Sequence, residues 1–507
     1  MKIRITVRCG GYSKEIEAEA GETLLSLLRR EGYAVSAPCG GNGICGKCLV
    51  TLRDQRGQRR VSACRTPVQE GAELLVEEIT GGAILTGGGL PTGDGAGENG
   101  LGAALDLGTT TVALELIDLS DGSRKGSAAA WNAQAPFGAD VISRAQYCAE
   151  HFDGVDTLRR AVREQTDELL AGLGVGRGEI RRLFVAGNTI MQHLYAGLDP
   201  MSITRAPFAP VSLFDGDEPR EEGLDYAPCV AGYVGGDITA GLLASGLWDR
   251  EECSLYLDLG TNGEMALGGR AGFTCCAVAS GPAFEGGGIC CGMPGVNGAV
   301  SRVRWEDGAL RLEVIGGGKA KGICGSGLID LLALLCEKRA LSASGRLLPP
   351  DEAPGELRSF LEEDEHGNGI FFLTPDRGVY LTAGDVRMLQ MAKAAVAAGI
   401  RVLLKKNALA VTDVDKLYLA GGFGTYMDVK SAAVIGMLPT ELVEKTVSLG
   451  NASLAGAHLA LLDPSARERL RSIQHACRYI ELSGDADFNE EYPEQLYFYE
   501  EDEDEWN

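Results

Sequence analysis

Apolar and charged residues alternate from the start of the chain. In Met1-Lys-Ile-Arg-Ile-Thr-Val-Arg8 every second side chain faces the same way, the period of a strand with one buried face. Ser13 to Glu19 repeats the pattern after a Cys9-Gly10-Gly11 turn. From Glu22 to Arg30 the period lengthens: Leu24, Leu25, Leu27 and Leu28 share one helical face, and Gly32 would end the helix. Leu49-Val50-Thr51-Leu52 and Leu74-Leu75-Val76 read as further strands. Residues 1–79 therefore predict a small β-rich domain. Residues 80–100 lose all periodicity and carry Gly81-Gly82, Gly87-Gly88-Gly89 and Thr92-Gly93-Asp94-Gly95-Ala96-Gly97, the composition of a flexible linker spanning roughly 25 Å.

Residues 101–482 alternate apolar strands with helical segments. The strands end at Asp106, Ala186, Asp258 and Ala420, each running into a glycine-containing turn. Asp156 to Leu173 and Asp385 to Leu404 read as amphipathic helices with aspartate at the N-cap. Repeated strand, glycine turn and helix predict α/β layers. Residues 483–507 read as an acidic C-terminal tail, its Glu500-Glu501-Asp502-Glu503-Asp504-Glu505 run solvated and disordered.

Length and charge narrow the choice of function. A chain of 507 residues exceeds one ordinary core. Its net charge of −24 disfavours nucleic acid and anionic membranes, which require a basic footprint. A nucleotide site remains compatible, because it needs only local backbone donors and a cation. The N-terminus lacks a secretory pattern, and no run approaches 18 apolar residues, so nothing spans a membrane. With 15 cysteines and no signal, the expected setting is the reducing cytoplasm, where thiols bind metal or stay free.

Four of those cysteines form a pattern. Cys39, Cys45 and Cys48 sit on the loop Ala37-Pro38-Cys39-Gly40-Gly41-Asn42-Gly43-Ile44-Cys45-Gly46-Lys47-Cys48, and Cys64 follows after fifteen intervening residues. Three thiolates on one glycine-rich loop plus one from a distant segment can hold two irons tetrahedrally. A zinc site usually shows two paired C-x2-C knuckles, and only one is present. Cys275-Cys276, Cys290-Cys291 and Cys324 lack ligand spacing and read as small buried side chains.

Two further segments resemble each other. Asp106-Leu107-Gly108-Thr109-Thr110-Thr111 and Asp258-Leu259-Gly260-Thr261-Asn262-Gly263-Glu264 lie 152 residues apart, each after an apolar strand. Each offers a carboxylate, a sharp turn and hydroxyl or amide donors. Two such loops can clamp a triphosphate, with Asp106 and Asp258 positioning Mg²⁺ through water. Glu264 is a candidate for orienting the attacking water, or else a solvated strand residue. At Ala420-Gly421-Gly422-Phe423 a strand enters a glycine pair that lets backbone press against a base and ribose. Asp237 and Glu285 are further cleft candidates, while His193 reads as a helix-packing residue.

The cysteine loop is similar to that of 2Fe–2S ferredoxins of β-grasp fold. The order of loops resembles the actin, sugar kinase and heat-shock chaperone superfamily, with Gly235–Gly241 and Gly450–Ala457 standing where its connecting helices fall; that resemblance implies a two-lobed, actin-like (ribonuclease H-like) ATPase domain over 101–482, with lobes of about 101–250 and about 251–450 and a return helix to the first. Together the two halves resemble the reductive activators of corrinoid proteins, as do the stretches Asn132–Arg144, Gly187–His193 and Gly281–Gly286. That resemblance implies an ATP-dependent enzyme that accepts electrons from an upstream low-potential reductant. It would pass them through a 2Fe–2S cluster to a corrinoid protein, taking Co(II) to Co(I). It also implies a possible homodimer. A small-molecule kinase with a redox-sensing cluster, and an ATP-gated binding module without catalysis, are the alternatives.

Overall fold

The computed structural model describes residues 2–9, 12–19, 21–30, 48–54, 57–76, 97–219 and 221–499. Cys39 and Cys45, most of the expected linker, the Gly32 helix stop and the Glu500–Glu505 run lie outside the described residues. Two compact units are present, one of Met1–Gly81 with Ala133–Gly154, the other of Gly82–Asn132 with Val155–Asn507. Among the described residues no helix is long and apolar enough to cross a membrane.

The first unit is built on a five-stranded sheet. Its strands are β1 (Lys2–Cys9), β2 (Tyr12–Glu19), β3 (Leu49–Asp54), β4 (Gly57–Ser62) and β5 (Glu73–Val76), in the order β2-β1-β5-β3-β4. β1 and β5 run parallel and the other pairs antiparallel. The alternation predicted for β1 buries Ile3, Ile5 and Val7 on one face, where they meet the leucines of α1 (Leu24–Arg30) in a shared core. β4 escapes the sequence pattern because Gly57-Gln-Arg-Arg-Val-Ser62 is polar and largely solvent-facing; its pairing with β3 alone makes it a strand. The same unit contains α2 (Val141–Glu150), capped by a reciprocal pair of hydrogen bonds between Asp140 and Ser143.

The second unit contains two sheets of the same design. One has the order β10-β9-β6-β7-β8, from β6 (Leu101–Leu107), β7 (Thr111–Asp118), β8 (Arg124–Trp131), β9 (Ile180–Gly187) and β10 (Leu224–Tyr226). The other uses β11 (Ser254–Leu259), β12 (Gly263–Gly269) and β13 (Gly272–Val278), and small sheets carry β14 to β19 between Ala299 and Thr382. β20 (Lys416–Ala420), β21 (Thr446–Gly450) and β22 (Cys477–Tyr479) complete that second large sheet, in the order β21-β20-β11-β12-β13-β22. In each, an antiparallel meander of three strands is joined on its first strand by a parallel one. Asp106 is thereby in register with Ala186, and Asp258 with Ala420. The two similar segments of the sequence are equivalent positions of two equivalent sheets.

Helices fill the space around these sheets: α3 (Gly154–Gly172), α4 (Thr189–Ala196), α5 (Gly236–Ser245), α6 (Gly325–Glu337), α7 (Ala383–Lys406), α8 (Gly421–Tyr426), α9 (Val429–Val434), α10 (Ala452–Leu462), α11 (Pro464–Ala476) and α12 (Ala486–Glu494). α5 and α10 pack against each other at very short range. A Cβ on Gly456 would lie 2.0 Å from the carbonyl oxygen of Ala240, so the crossing admits no side chain there.

Three expectations need correction. Asp385 is not the cap of α7: Thr382 is, its Oγ1 accepting from the Asp385 N–H, while the Asp385 carboxylate at the third position accepts from the Thr382 N–H. Asp156 lies inside the first turn of α3 rather than before it. The acidic tail does not begin at 483. Residues 486–494 form α12 against α7, and Phe498 is 2% exposed in the core of the second large sheet. Buried Lys393 donates to the Tyr497 carbonyl and lies 5.1 Å over the Phe498 ring, and Gln390 donates to the Leu496 carbonyl at 2.7 Å. The acidic composition of this stretch hid the aromatic residues that anchor it; its ion pairs to Lys405 and Lys406 are exposed and contribute little.

Candidate functional site

In the first unit, the hairpin of β3 and β4 explains the long gap before the fourth cysteine. Leu49 pairs with Ser62, so the residues just outside that pair return to one place. Cys48 is 1% exposed, and the Cys64 N–H donates to its sulfur at 3.4 Å. The Ala63 N–H donates to the Cys48 carbonyl at 2.7 Å, and Leu25 and Leu24 of α1 donate to Ala63 and Thr66. A thiolate ligand to iron is stabilised by such N–H donors, so this pair suits a cluster. Cys39 and Cys45 lie outside the described residues.

In the second unit the two glycine turns meet. Thr110 Oγ1 and Thr261 Oγ1 lie 3.3 Å apart, although their turns join strands of different sheets. Asp106 and Asp258 stand at the ends of β6 and β11. The Asp106 carboxylate accepts from Asn451 Nδ2 and Ser453 Oγ, each at 2.8 Å, both from the start of α10. Gly421 holds a backbone φ of 82°, and a Cβ there would lie 2.5 Å from Asp258 Oδ1, so glycine is required for this approach. Gly108 is tight as well, with the Thr111 carbonyl oxygen 2.6 Å from its Cβ position, whereas Gly260 has room. Gly422 is open, and Phe423 stacks on Phe284 with centroids 5.0 Å apart and planes 8° from parallel.

The carboxylates crowd one another. Burial raises Asp106 despite its two donors. Burial, then the charge of Asp106, pushes Asp258 up to about 7. Burial, then Asp258 and Asp106, pushes Asp237 up to about 8. Glu264 is raised well above the usual carboxylate range by burial, then by Asp237 and Asp258. Glu264 is buried, within 3.4 Å of Asn188 Nδ2, and so is not a solvated strand residue. Part of this shift is mutual repulsion of the carboxylates, which a nearby cation would relieve. Among the described residues, no three carboxylate, thiol or imidazole groups lie close enough to ligate one ion directly.

Of the remaining predicted residues, Thr111 opens β7, Thr109 lies in the turn before it, and Asn262 lies between Thr261 and β12. Residues outside the principal motifs also shape the turns. Asn132 donates to the Gly108 carbonyl at 2.8 Å, and Ser280 donates to the carbonyls of Gly260 and Thr261 at 3.3 Å. Asn132 heads a stretch that carries the family resemblance, but neither it nor Ser280 has a spacing that gives away this contact. His193 is buried and packed as expected: its Nε2 accepts from the Val211 and Ser212 N–H groups, which leaves Nδ1 to donate to Thr189. Cys275, Cys276 and Cys324 are buried as expected, but Cys290 is exposed and Cys291 only half-buried.

The chain is similar to known proteins along its length. Residues 7–69 match the 2Fe-2S iron-sulfur cluster binding domain, residues 101–250 the RACo middle region, and residues 252–507 the C-terminal domain of RACo, the ASKHA domain. The chain is 32% identical over 411 residues to corrinoid activation enzyme RamQ of Eubacterium limosum, covering 77% of this chain and 69% of that protein. It is 27% identical over 404 residues to the [Co(II) methylated amine-specific corrinoid protein] reductase of Methanosarcina barkeri, covering 72% of this chain and 70% of that protein. A solved structure of a reductive activator for corrinoid, iron-sulfur protein superposes with a TM-score of 0.70 and 30% identity, covering 97% of this chain and 98% of that one.

Proposed function

Because the chain belongs to the family of reductive activators of corrinoid proteins, we propose that it uses ATP to deliver a low-potential electron to a corrinoid protein, restoring Co(I) from Co(II). The observation that carries this reading is the coexistence of a paired thiol site with two equivalent, meeting phosphate-type loops in one chain. A 2Fe–2S cluster, when bound, supplies a one-electron centre near roughly −400 mV. Cys39, Cys45, Cys48 and Cys64 would hold it.

Thr109, Thr110, Thr261 and Asn262 would bind phosphate oxygens, and Gly421, Gly422 and Phe423 the ribose and base. Asp106 and Asp258 would hold Mg²⁺ through its water shell, and Glu264 would orient the attacking water. Asn451 and Ser453 tie Asp106 to α10, which crosses α5 at Gly456. Charge change at Asp106 is therefore mechanically linked to the helix pair between the two sheets. Coupling of roughly 1–3 kcal/mol through such a link corresponds to about 40–130 mV of uphill transfer. An upstream low-potential reductant would recharge the first unit.

The test combines anoxic protein, a chemical reductant and a Co(II) corrinoid protein, and follows both ATP hydrolysis and the Co(I) absorption band. Hydrolysis stimulated by the corrinoid protein, with Co(I) appearing only when ATP is present, supports the reading. Co(I) formed at one rate with or without ATP contradicts it.

A further inference from the structure

Glu285 holds a position that the two-loop scheme leaves unexplained. Its Oε2 accepts from Thr110 Oγ1 at 2.9 Å and from Thr261 Oγ1 at 3.1 Å. One carboxylate oxygen thus receives both loop hydroxyls, one from a turn of each large sheet. This is the hydrogen-bonding pattern a phosphate oxygen would seek from the same two groups. Glu285 ends the short turn Pro282–Glu285, whose Phe284 stacks on Phe423 beside the glycine pair of α8. The Phe284 carbonyl also lies against Gly325, so closely that no Cβ would fit there. A single four-residue turn therefore touches both ends of the candidate nucleotide site.

Resting on the nucleotide reading above, we propose that Glu285 is a specificity-determining residue. Its carboxylate contends with the terminal phosphate of a nucleoside triphosphate for the hydroxyls of Thr110 and Thr261, and must swing aside when that phosphate binds. A nucleoside diphosphate, one phosphate shorter, leaves Glu285 in place. The contention has two parts. The hydroxyls must exchange one anionic acceptor for another, and the displaced carboxylate is left near a like charge until it moves. Movement of Glu285 carries Phe284 with it and so alters the stack on Phe423. The device converts the presence of the last phosphate into a shift of the turn, which is what an ATP-gated electron donor needs in order to tell ATP from ADP.

The experiment titrates full-length wild type, Glu285→Gln and Glu285→Ala with ADP and with the non-hydrolysable β,γ-imido analogue of ATP, both with Mg²⁺, by calorimetry. Hydrogen exchange of residues 281–288 is followed in the same samples. Both variants are expected to favour the triphosphate analogue over ADP about tenfold more strongly than wild type does, or about 1.4 kcal/mol. In wild type, the analogue but not ADP is expected to speed exchange in the turn. Glu285→Gln keeps the side-chain shape, so agreement of the two variants separates loss of charge from damage to the fold. Normal nucleotide binding with an unchanged preference, or triphosphate binding weakened in both variants, overturns the role of Glu285 while leaving the nucleotide site intact. Failure of wild type to bind either nucleotide overturns the nucleotide reading, and this inference with it.

Discussion

Replacing Gly456 by alanine separates two opposing effects by sign. In an exposed helix, Gly→Ala stabilises by about 1 kcal/mol, because alanine loses less backbone entropy and is the better helix former. At the crossing of α5 and α10, the new methyl would lie 2.0 Å from the Ala240 oxygen, 2.4 Å from its carbonyl carbon and 2.7 Å from its Cα. All three are backbone atoms of a buried helix, so no rotamer change relieves the clash. Reaching ordinary contact near 3.4 Å requires the two helices to part by more than about 1 Å, and overpacking of this kind costs about 1–3 kcal/mol or more. The net change is therefore a loss. It is read as a lower midpoint in thermal unfolding, by a few degrees or less for a unit of this size. Because α10 also presents Asn451 and Ser453 to Asp106, the same variant should weaken Mg·ATP binding severalfold. A higher unfolding midpoint with unchanged nucleotide affinity would refute the close crossing and its link to the site.

Cys64→Ser should abolish the visible absorption of a bound cluster and lower iron and sulfide content, while Mg·ATP binding to the second unit persists; full iron content in the variant would contradict the ligand set. Phe498→Ala should cost about 3–5 kcal/mol, seen in thermal or denaturant unfolding, because the ring is buried in a core and not part of a loose tail. The pH dependence follows from the raised carboxylates. An unfolded aspartate ionises near about 3.9, whereas Asp258 holds its proton to about 7 and Asp237 to about 8. The unfolded chain releases its protons first as pH rises, so these groups subtract stability progressively from about pH 4 up to their folded values, and no further beyond. Without divalent cation, the unfolding midpoint should fall between pH 6 and pH 8, and Asp258→Asn should flatten that slope; an identical slope in the variant would show that the cluster is not its source.

Much of this was legible in the sequence where the chemistry is local. The alternation of Ile3, Ile5 and Val7, the leucine face of α1, and the Asp-Leu-Gly-Thr segments each carry their structural meaning within a few residues. The duplication of the two large sheets could be read from the spacing of Asp106 and Asp258, because a repeated strand and turn imposes the same requirement twice. What stayed hidden depends on distant partners. β4 is a strand only because β3 pairs with it, and Asn132, Ser280, Asn451 and Ser453 serve the loops from other segments. Phe498 was masked by the acidic residues around it, since local charge gives no sign of which face of a segment docks.

The most direct test uses a single turnover. Protein reduced in the absence of oxygen and freed of reductant is mixed with a Co(II) corrinoid protein. The cluster absorption and the Co(I) band are then recorded together, with ATP, with ADP and with neither. The account predicts that the cluster reoxidises and Co(I) rises in step, close to one for one, with ATP alone. Equal transfer in all three samples, or reoxidation of the cluster with no Co(I) formed, would contradict it.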